Sequence, residues 1–209
     1  MEARKMEHRP WQQNYPKGVP FEINADKFAS IIDVFETSCR EFAHLPCYTS
    51  LGYTLKFADI EKQSRAFAAY LQSVPGLVPG DRIAIQLPNI LQYPIALYGA
   101  LRAGLVVVNT NPLYTAREMK NQFHDCQAKL VVICANFATH LEEVLPQVPS
   151  LKTVIVTDIG DMLPAPKRQI VNFVLRHVKR MVPKFNLPMA LSFRDVLAQG
   201  AKRDFKRVA

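Results

Sequence analysis

Arg82-Ile-Ala-Ile-Gln-Leu87, Leu105-Val-Val-Val-Asn109, Lys129-Leu-Val-Val-Ile-Cys134 and Lys152-Thr-Val-Ile-Val-Thr157 are four short, almost wholly apolar runs. Helical spacing fills the gaps between them. Asn89, after Pro88, is placed to cap a helix reaching Ala103. Thr115-Ala116-Arg117-Glu118 has the spacing of a capping box, in which the first hydroxyl and the last carboxylate each bond the other's backbone N–H. Phe137 to Leu145 is predicted helical. Strands without polar alternation are buried on both faces, and strand–helix repetition joins them by right-handed crossovers. The expected fold is α/β: a parallel, doubly wound sheet flanked by helices. Ligands of such sheets bind beyond the carboxyl ends of the strands. That singles out Pro88-Asn89, Asn109 to Tyr114 and Ala135-Asn136, as a region and not yet a chemistry.

Working outward, Phe28 opens a helical pattern carrying Ile31, Ile32, Phe35 and Phe42, and Cys47 to Phe57 reads as a hairpin about Leu51-Gly52. Asp59 is the expected N-cap of a helix through Val74, and Pro79-Gly80-Asp81 is a turn. Residues 1–26 hold Pro10, Pro16 and Pro20 with no periodicity and read as an irregular arm. Its Trp11 and Tyr15 are expected to pack on a partner subunit, which makes the arm the expected seat of a homodimer contact. The resulting division is an arm over 1–26, an α/β unit over 27–165, and a basic amphipathic helical segment over 166–209 that is incomplete at its C-terminus.

The 209 residues are 49% hydrophobic and 21% charged, which excludes a disordered chain. The apolar stretch from Pro94 to Val108 is interrupted by Arg102 and is too short for a membrane span. Cys39, Cys47, Cys126 and Cys134 form no Cys-x-x-Cys pair and read as reduced thiols. The first ten residues have no apolar core of a secretory signal, so a cytoplasmic protein is expected.

The net charge of +8 is unevenly placed. Residues 1–165 carry 15 Lys and Arg against 16 Asp and Glu, while residues 166–209 carry 11 against 2. Such a tail suits an anionic partner. Lys167 to Phe185 is predicted as one helix, with Ile170, Val174, Val178 and Met181 on one face and Asn172, Arg176, Lys179 and Arg180 on the other. Its apolar stripe suits either docking on the core or lying in an anionic leaflet. In the second case Lys167, Arg168, Arg176, Lys179, Arg180 and Lys184 are the expected contacts with the inner face of the membrane. No basic–aromatic platform for nucleic acid is present.

Most catalytic motifs are missing. Gly99 and Gly104 have the first spacing of a Walker loop, but Leu105-Val106 follow where Lys and Ser or Thr belong. There is no Gly-x-Gly-x-x-Gly and no Gly-x-Ser-x-Gly. The absent phosphate loop also weighs against a flavodoxin-type nucleotide binder. His124-Asp125-Cys126 are adjacent on a predicted helix, so they cannot share a face as a triad.

Leu87-Pro-Asn-Ile-Leu-Gln-Tyr-Pro-Ile-Ala-Leu-Tyr-Gly-Ala-Leu-Arg-Ala-Gly-Leu-Val-Val-Val-Asn-Thr-Asn-Pro-Leu-Tyr-Thr-Ala-Arg-Glu118 resembles the early core motif of adenylate-forming enzymes. Tyr53-Thr-Leu-Lys-Phe-Ala-Asp-Ile-Glu-Lys-Gln-Ser-Arg-Ala-Phe-Ala-Ala-Tyr-Leu71 resembles that superfamily's first motif. Val171-Asn-Phe-Val and Lys179-Arg-Met-Val-Pro-Lys-Phe-Asn-Leu-Pro188 are similar to the bacterial long-chain fatty acid–CoA ligases. The resemblance runs from about Trp11 to Gly200. It implies a two-step reaction in which fatty acid and ATP, with Mg²⁺, give an acyl-adenylate that CoA then converts to acyl-CoA. It also implies that the phosphate loop and the C-terminal domain lie beyond residue 209. No residue here matches a directly catalytic family position, so no catalytic, cofactor-binding or metal residue is assigned. The expectation is a ligase fragment, inactive alone, binding neither ATP nor Mg²⁺ tightly and exposing apolar surface. The alternative is a non-catalytic α/β module held to anionic membrane by its basic tail.

Overall fold

The computed structural model describes residues 9–208. Parallel pairing builds one five-stranded sheet from β3 (Arg82–Gln86), β4 (Val106–Asn109), β5 (Leu130–Cys134), β6 (Thr153–Thr157) and β7 (Leu191–Ser192), in the order β4-β3-β5-β6-β7. Strand order reverses between β3 and β5, which is where a doubly wound sheet opens its ligand crevice. Helices α1 (Ile31–Glu41), α2 (Phe57–Leu71), α3 (Gln92–Arg102), α4 (Ala116–Cys126), α5 (Ala138–Val144), α6 (Lys167–Phe173) and α7 (Phe193–Gly200) surround it.

Side-chain alternation splits the core into two layers. Ile83, Ile85, Leu130, Val132 and Ile155 face α2, α3 and α7. Ala84, Val131, Ile133 and Val154 face α4 and α5, meeting Met119, Phe123 and Leu141. The parallel, two-faced sheet is thus as expected. The two edge strands, β4 and β7, are the least buried, and Val106 on β4 stands exposed.

Several boundaries differ from the sequence reading for identifiable reasons. α2 begins at Phe57, and Asp59 is its third residue rather than its cap. The N–H groups of Phe57 and Ala58 donate to the carbonyls of Leu45 and Ala43, so the helix can start earlier. Asp59 instead accepts from the Lys56 N–H at 2.9 Å. Asn89 caps nothing. Ile90 and Leu91 turn into the core and α3 starts at Gln92 with no side-chain cap. The Thr115–Glu118 capping box is present as expected. So is the hairpin of β1 (Pro46–Ser50) and β2 (Tyr53–Lys56), whose turn residues Leu51 and Gly52 both take positive φ.

Gly99 is a packing glycine. A Cβ there would lie 2.7 Å from Phe67 Cδ1 and 2.9 Å from the Ser64 carbonyl, so α2 and α3 could not approach so closely. Arg102, 1% exposed, sits in the same packing. It donates to Glu36 Oε1 at 3.0 Å, Glu61 Oε1 at 3.0 Å, the Glu61 carbonyl at 2.9 Å and Ser64 Oγ at 3.1 Å. Burial alone would raise the Glu61 carboxyl, but hydrogen bonds from Arg65 and Arg102 hold it below its usual range.

The tail is not one helix. α6 stops at Phe173, a π-helical turn covers Val174–Val178, and Arg180 takes φ +52 to end it. The chain beyond is irregular until β7, and α7 packs Phe193 and Val196 into the core. A Cβ on Gly200 would lie 1.9 Å from the Ala66 carbonyl, so α7 rests directly on the α2 backbone.

Candidate functional site

The carboxyl ends of β3, β5 and β6 gather the polar groups that the core otherwise excludes. Gln86, at the end of β3, is fully buried and donates from Nε2 to the Asn111 carbonyl at 3.2 Å. Gln92, at the start of α3, is fully buried and donates to Thr157 Oγ1 at 3.0 Å and the Asp158 carbonyl at 2.8 Å. The amide oxygens of both are buried without a hydrogen-bond partner. Both side chains are sealed from solvent, so through their donor ends they brace the Asn111 turn and the loop after β6.

The segments picked from the strand ends do line this edge. Asn109 accepts from the Tyr93 hydroxyl at 3.0 Å, and Asn111 Oδ1 accepts from the Leu113 N–H at 3.0 Å, shaping the turn. The Tyr114 carbonyl meets His140 Nδ1 at 3.2 Å. Asn136 donates to the Met181 carbonyl at 2.9 Å, joining the end of β5 to the tail. Asn89 is exposed at the rim.

Asp158 and Asp161 stand beside them on the loop after β6. Burial pushes the Asp158 carboxyl up, against the Arg176 guanidinium, which donates to it at 2.8 and 3.1 Å. Asp161 accepts from Thr157 Oγ1, the Asp158 N–H and Asn172 Nδ2. Among the described residues no three His, Cys, Asp or Glu side chains are placed to hold a metal ion. The aspartates are committed to protein donors, so these residues do not fit Mg²⁺. His124 is exposed at the end of α4, away from any partner in a triad.

The tail cations divide into two groups. Lys167 donates to the Leu51 carbonyl and Arg176 pairs with Asp158, so both hold the fold. Arg168 is half-buried and lines a cleft of about 350 Å³ with Arg176, Arg194 and His177. Lys179, Arg180 and Lys184 are exposed and make no ion pair among the described residues.

The α6 segment also faces the other way from a core-docked helix. Asn172 accepts from the Gly160 N–H at 2.9 Å and donates to Asp161 at 3.0 Å, so Asn172 is turned inward beside Val171. Ile170, Phe173, Val178 and Met181 are 59%, 60%, 63% and 52% exposed. Ile170, Val178 and Met181 belong to the apolar stripe read from the sequence, whereas Phe173 and the buried Gln86 and Gln92 were not identified there. Two glutamines beside proline and helix-start signals were the only trace of the latter.

The sequence pattern of the AMP-binding enzyme family matches residues 35–186. The chain belongs to that family. It is 49% identical over 197 residues to a long-chain-fatty-acid–CoA ligase of Haemophilus influenzae, covering 94% of this chain and 35% of that protein. It is 47% identical over 195 residues to the enzyme of the same name from Escherichia coli O6:H1, covering 93% and 35%. The chain therefore spans about a third of the length of these relatives. A benzoate CoA ligase from Burkholderia xenovorans superposes with a TM-score of 0.63 at 18% identity, over 85% of this chain and 29% of that one. An acetoacetyl-CoA synthetase from Streptomyces lividans gives 0.65 at 18%, over 85% and 26%. The α/β fold is thus that of adenylate-forming enzymes. No helix among the described residues is long and apolar enough to cross a membrane.

Proposed function

We propose that this chain is scaffold for an ATP-dependent long-chain fatty acid–CoA ligase. Fatty acid and ATP would give an acyl-adenylate and pyrophosphate, and the CoA thiol would displace AMP to give acyl-CoA. The likeness to the bacterial ligases along more than nine-tenths of the chain carries this reading. Both nucleophiles arrive with the substrates, so the protein's task is positioning and charge stabilisation. The Asn109–Tyr114 turn would serve as a wall that fixes substrate position, braced from behind by the buried amides of Gln86 and Gln92. Mg²⁺ would offset phosphate charge from ligands outside these residues. Alone, the chain is expected to complete neither step.

A chimaera tests this: the present chain replaces the matching third of the Haemophilus influenzae ligase. It is expected to form palmitoyl-CoA from palmitate, ATP, Mg²⁺ and CoA. A chimaera with native circular dichroism that forms none removes the reading.

A second reading has its own observation, the outward apolar face of the α6 segment beside three unpaired cations. We infer that Ile170, Phe173, Val178 and Met181 enter an anionic leaflet while Lys179, Arg180 and Lys184 meet its headgroups. Cosedimentation with phosphatidylglycerol vesicles should weaken when those three cations become alanine, and weaken further with added salt. Binding indifferent to both would end this reading. The arm is the proposed homodimer contact, since Trp11 and Phe21 stand exposed. Trp11→Ser should then shift sedimentation toward the monomer, and an unchanged sedimentation coefficient would dispose of the contact.

A further inference from the structure

The amino-terminal edge of the sheet carries a row of like charges that the fold does not balance. Ile83 is in register with Leu130, and Leu130 with Thr153. The residues just before them, Arg82, Lys129 and Lys152, therefore stand abreast at the starts of three neighbouring strands, about 4.8 Å apart. The Lys129 N–H donates to the Arg82 carbonyl and the Lys152 N–H to the Lys129 carbonyl, both at 2.9 Å, which locks the row. Adjacent like charges on neighbouring strands repel. Among the described residues only Lys129 of the three is within ion-pair distance of a carboxylate, Asp81 at 2.8 Å. Arg82 spends Nε on the Cys126 carbonyl at 2.8 Å and Nη1 on the Gly80 carbonyl at 3.5 Å, leaving Nη2 without an acceptor among the described residues. Lys152 is exposed and in no ion pair among the described residues.

These three cations open on one cleft of about 420 Å³, walled on its apolar side by Val74 and Leu77. Ser150 lines the same cleft, and its hydroxyl oxygen is buried without a hydrogen-bond partner. Two uncompensated positive charges and an idle hydroxyl suit a dianion whose oxygens accept from all of them. The apolar wall suits a small organic body attached to it. We propose that this cleft binds a phosphate group, free or as a small phosphate monoester, through Arg82, Lys152 and Ser150. The site lies on the opposite edge of the sheet from the Gln86–Gln92 pair, and it does not depend on the ligase reading.

Equilibrium dialysis of the full chain against labelled inorganic phosphate at low ionic strength tests it, with glycerol 3-phosphate as competitor. Saturable binding in the millimolar range or tighter is expected. Lys152→Ala should weaken it about tenfold, and Ser150→Ala should weaken it less. Lys179→Ala, on the tail, should leave it unchanged. Lys152 is exposed, so its loss does not threaten the fold. Competition by glycerol 3-phosphate below the phosphate concentration would identify the monoester as the ligand, and equal competition would identify phosphate itself. No saturable binding to the parent chain overturns the proposal. So does binding that falls equally in Lys152→Ala and Lys179→Ala.

Discussion

Arg102 keeps a full charge at 1% exposure inside the packing of α1, α2 and α3, whereas Phe173 and Val178 stand three-fifths exposed on the α6 segment. Both break the rule that charge faces water and hydrocarbon does not, yet their surroundings differ. Arg102 is met on every side by Glu36, Glu61 and Ser64, with the Phe35 ring 5.3 Å from its guanidinium carbon. The α6 segment is held on one side only, by bonds to Gly160, Asp161 and Asp158 and by Val171 against the core. A buried charge that is fully paired belongs to the fold. An apolar stripe held outward by bonds on its opposite face suits a surface awaiting contact.

The comparison breaks first at Arg102. Arg102→Leu should cost about 3–5 kcal/mol of unfolding free energy, because it removes the buried guanidinium that Glu36, Glu61 and Ser64 share and leaves Glu61 with Arg65 alone. Urea denaturation reads this directly, and a loss under about 1 kcal/mol would show that the network is dispensable. Next comes Asn172→Ala, which removes the bonds to the Gly160 N–H and Asp161 and should cost about 1–3 kcal/mol. Hydrogen exchange should quicken first in α6, and uniform exchange would argue against a local anchor.

A pH series sharpens the Arg102 side. The Glu61 pKa is lowered by folding, so its stabilisation is present above its unfolded value near about 4.3 and is lost as pH falls through the folded value. The urea midpoint should therefore drop below about pH 4. Glu61→Gln should flatten part of that drop, and an unaltered acid limb would remove Glu61 from the account. The smallest expected effect belongs to the outward stripe. Replacing Ile170, Phe173 and Val178 together by Ser should change stability by no more than about 0.5 kcal/mol per site. A larger loss would mean that the stripe is packed in solution.

What could be read from the sequence is local or periodic. The four apolar runs, the Leu51-Gly52 turn and the Thr115–Glu118 box each depend on neighbours within a few residues. What escaped depends on distance. Arg102 stood in the sequence only as a break in an apolar stretch, because its partners lie 66 and 41 residues away. β7 is two residues long, too short to carry a period, and is defined by pairing with β6. The single helix expected over Lys167–Phe185 stops at Val178, and an amphipathic pattern does not say which face turns inward. That was decided by the Gly160 N–H and two aspartates after β6. The region of the candidate site followed from the strand ends, while its buried glutamines needed the packed structure.

On the proposed reading, this chain is a folded scaffold whose chemistry needs residues elsewhere. Fatty-acid-dependent exchange of pyrophosphate into ATP tests it most directly, using the 209-residue chain with palmitate and Mg²⁺. The account predicts a chain with native circular dichroism and no exchange above the protein-free blank. Exchange that rises and saturates with palmitate would contradict it, because the adenylating groups would then lie within these residues.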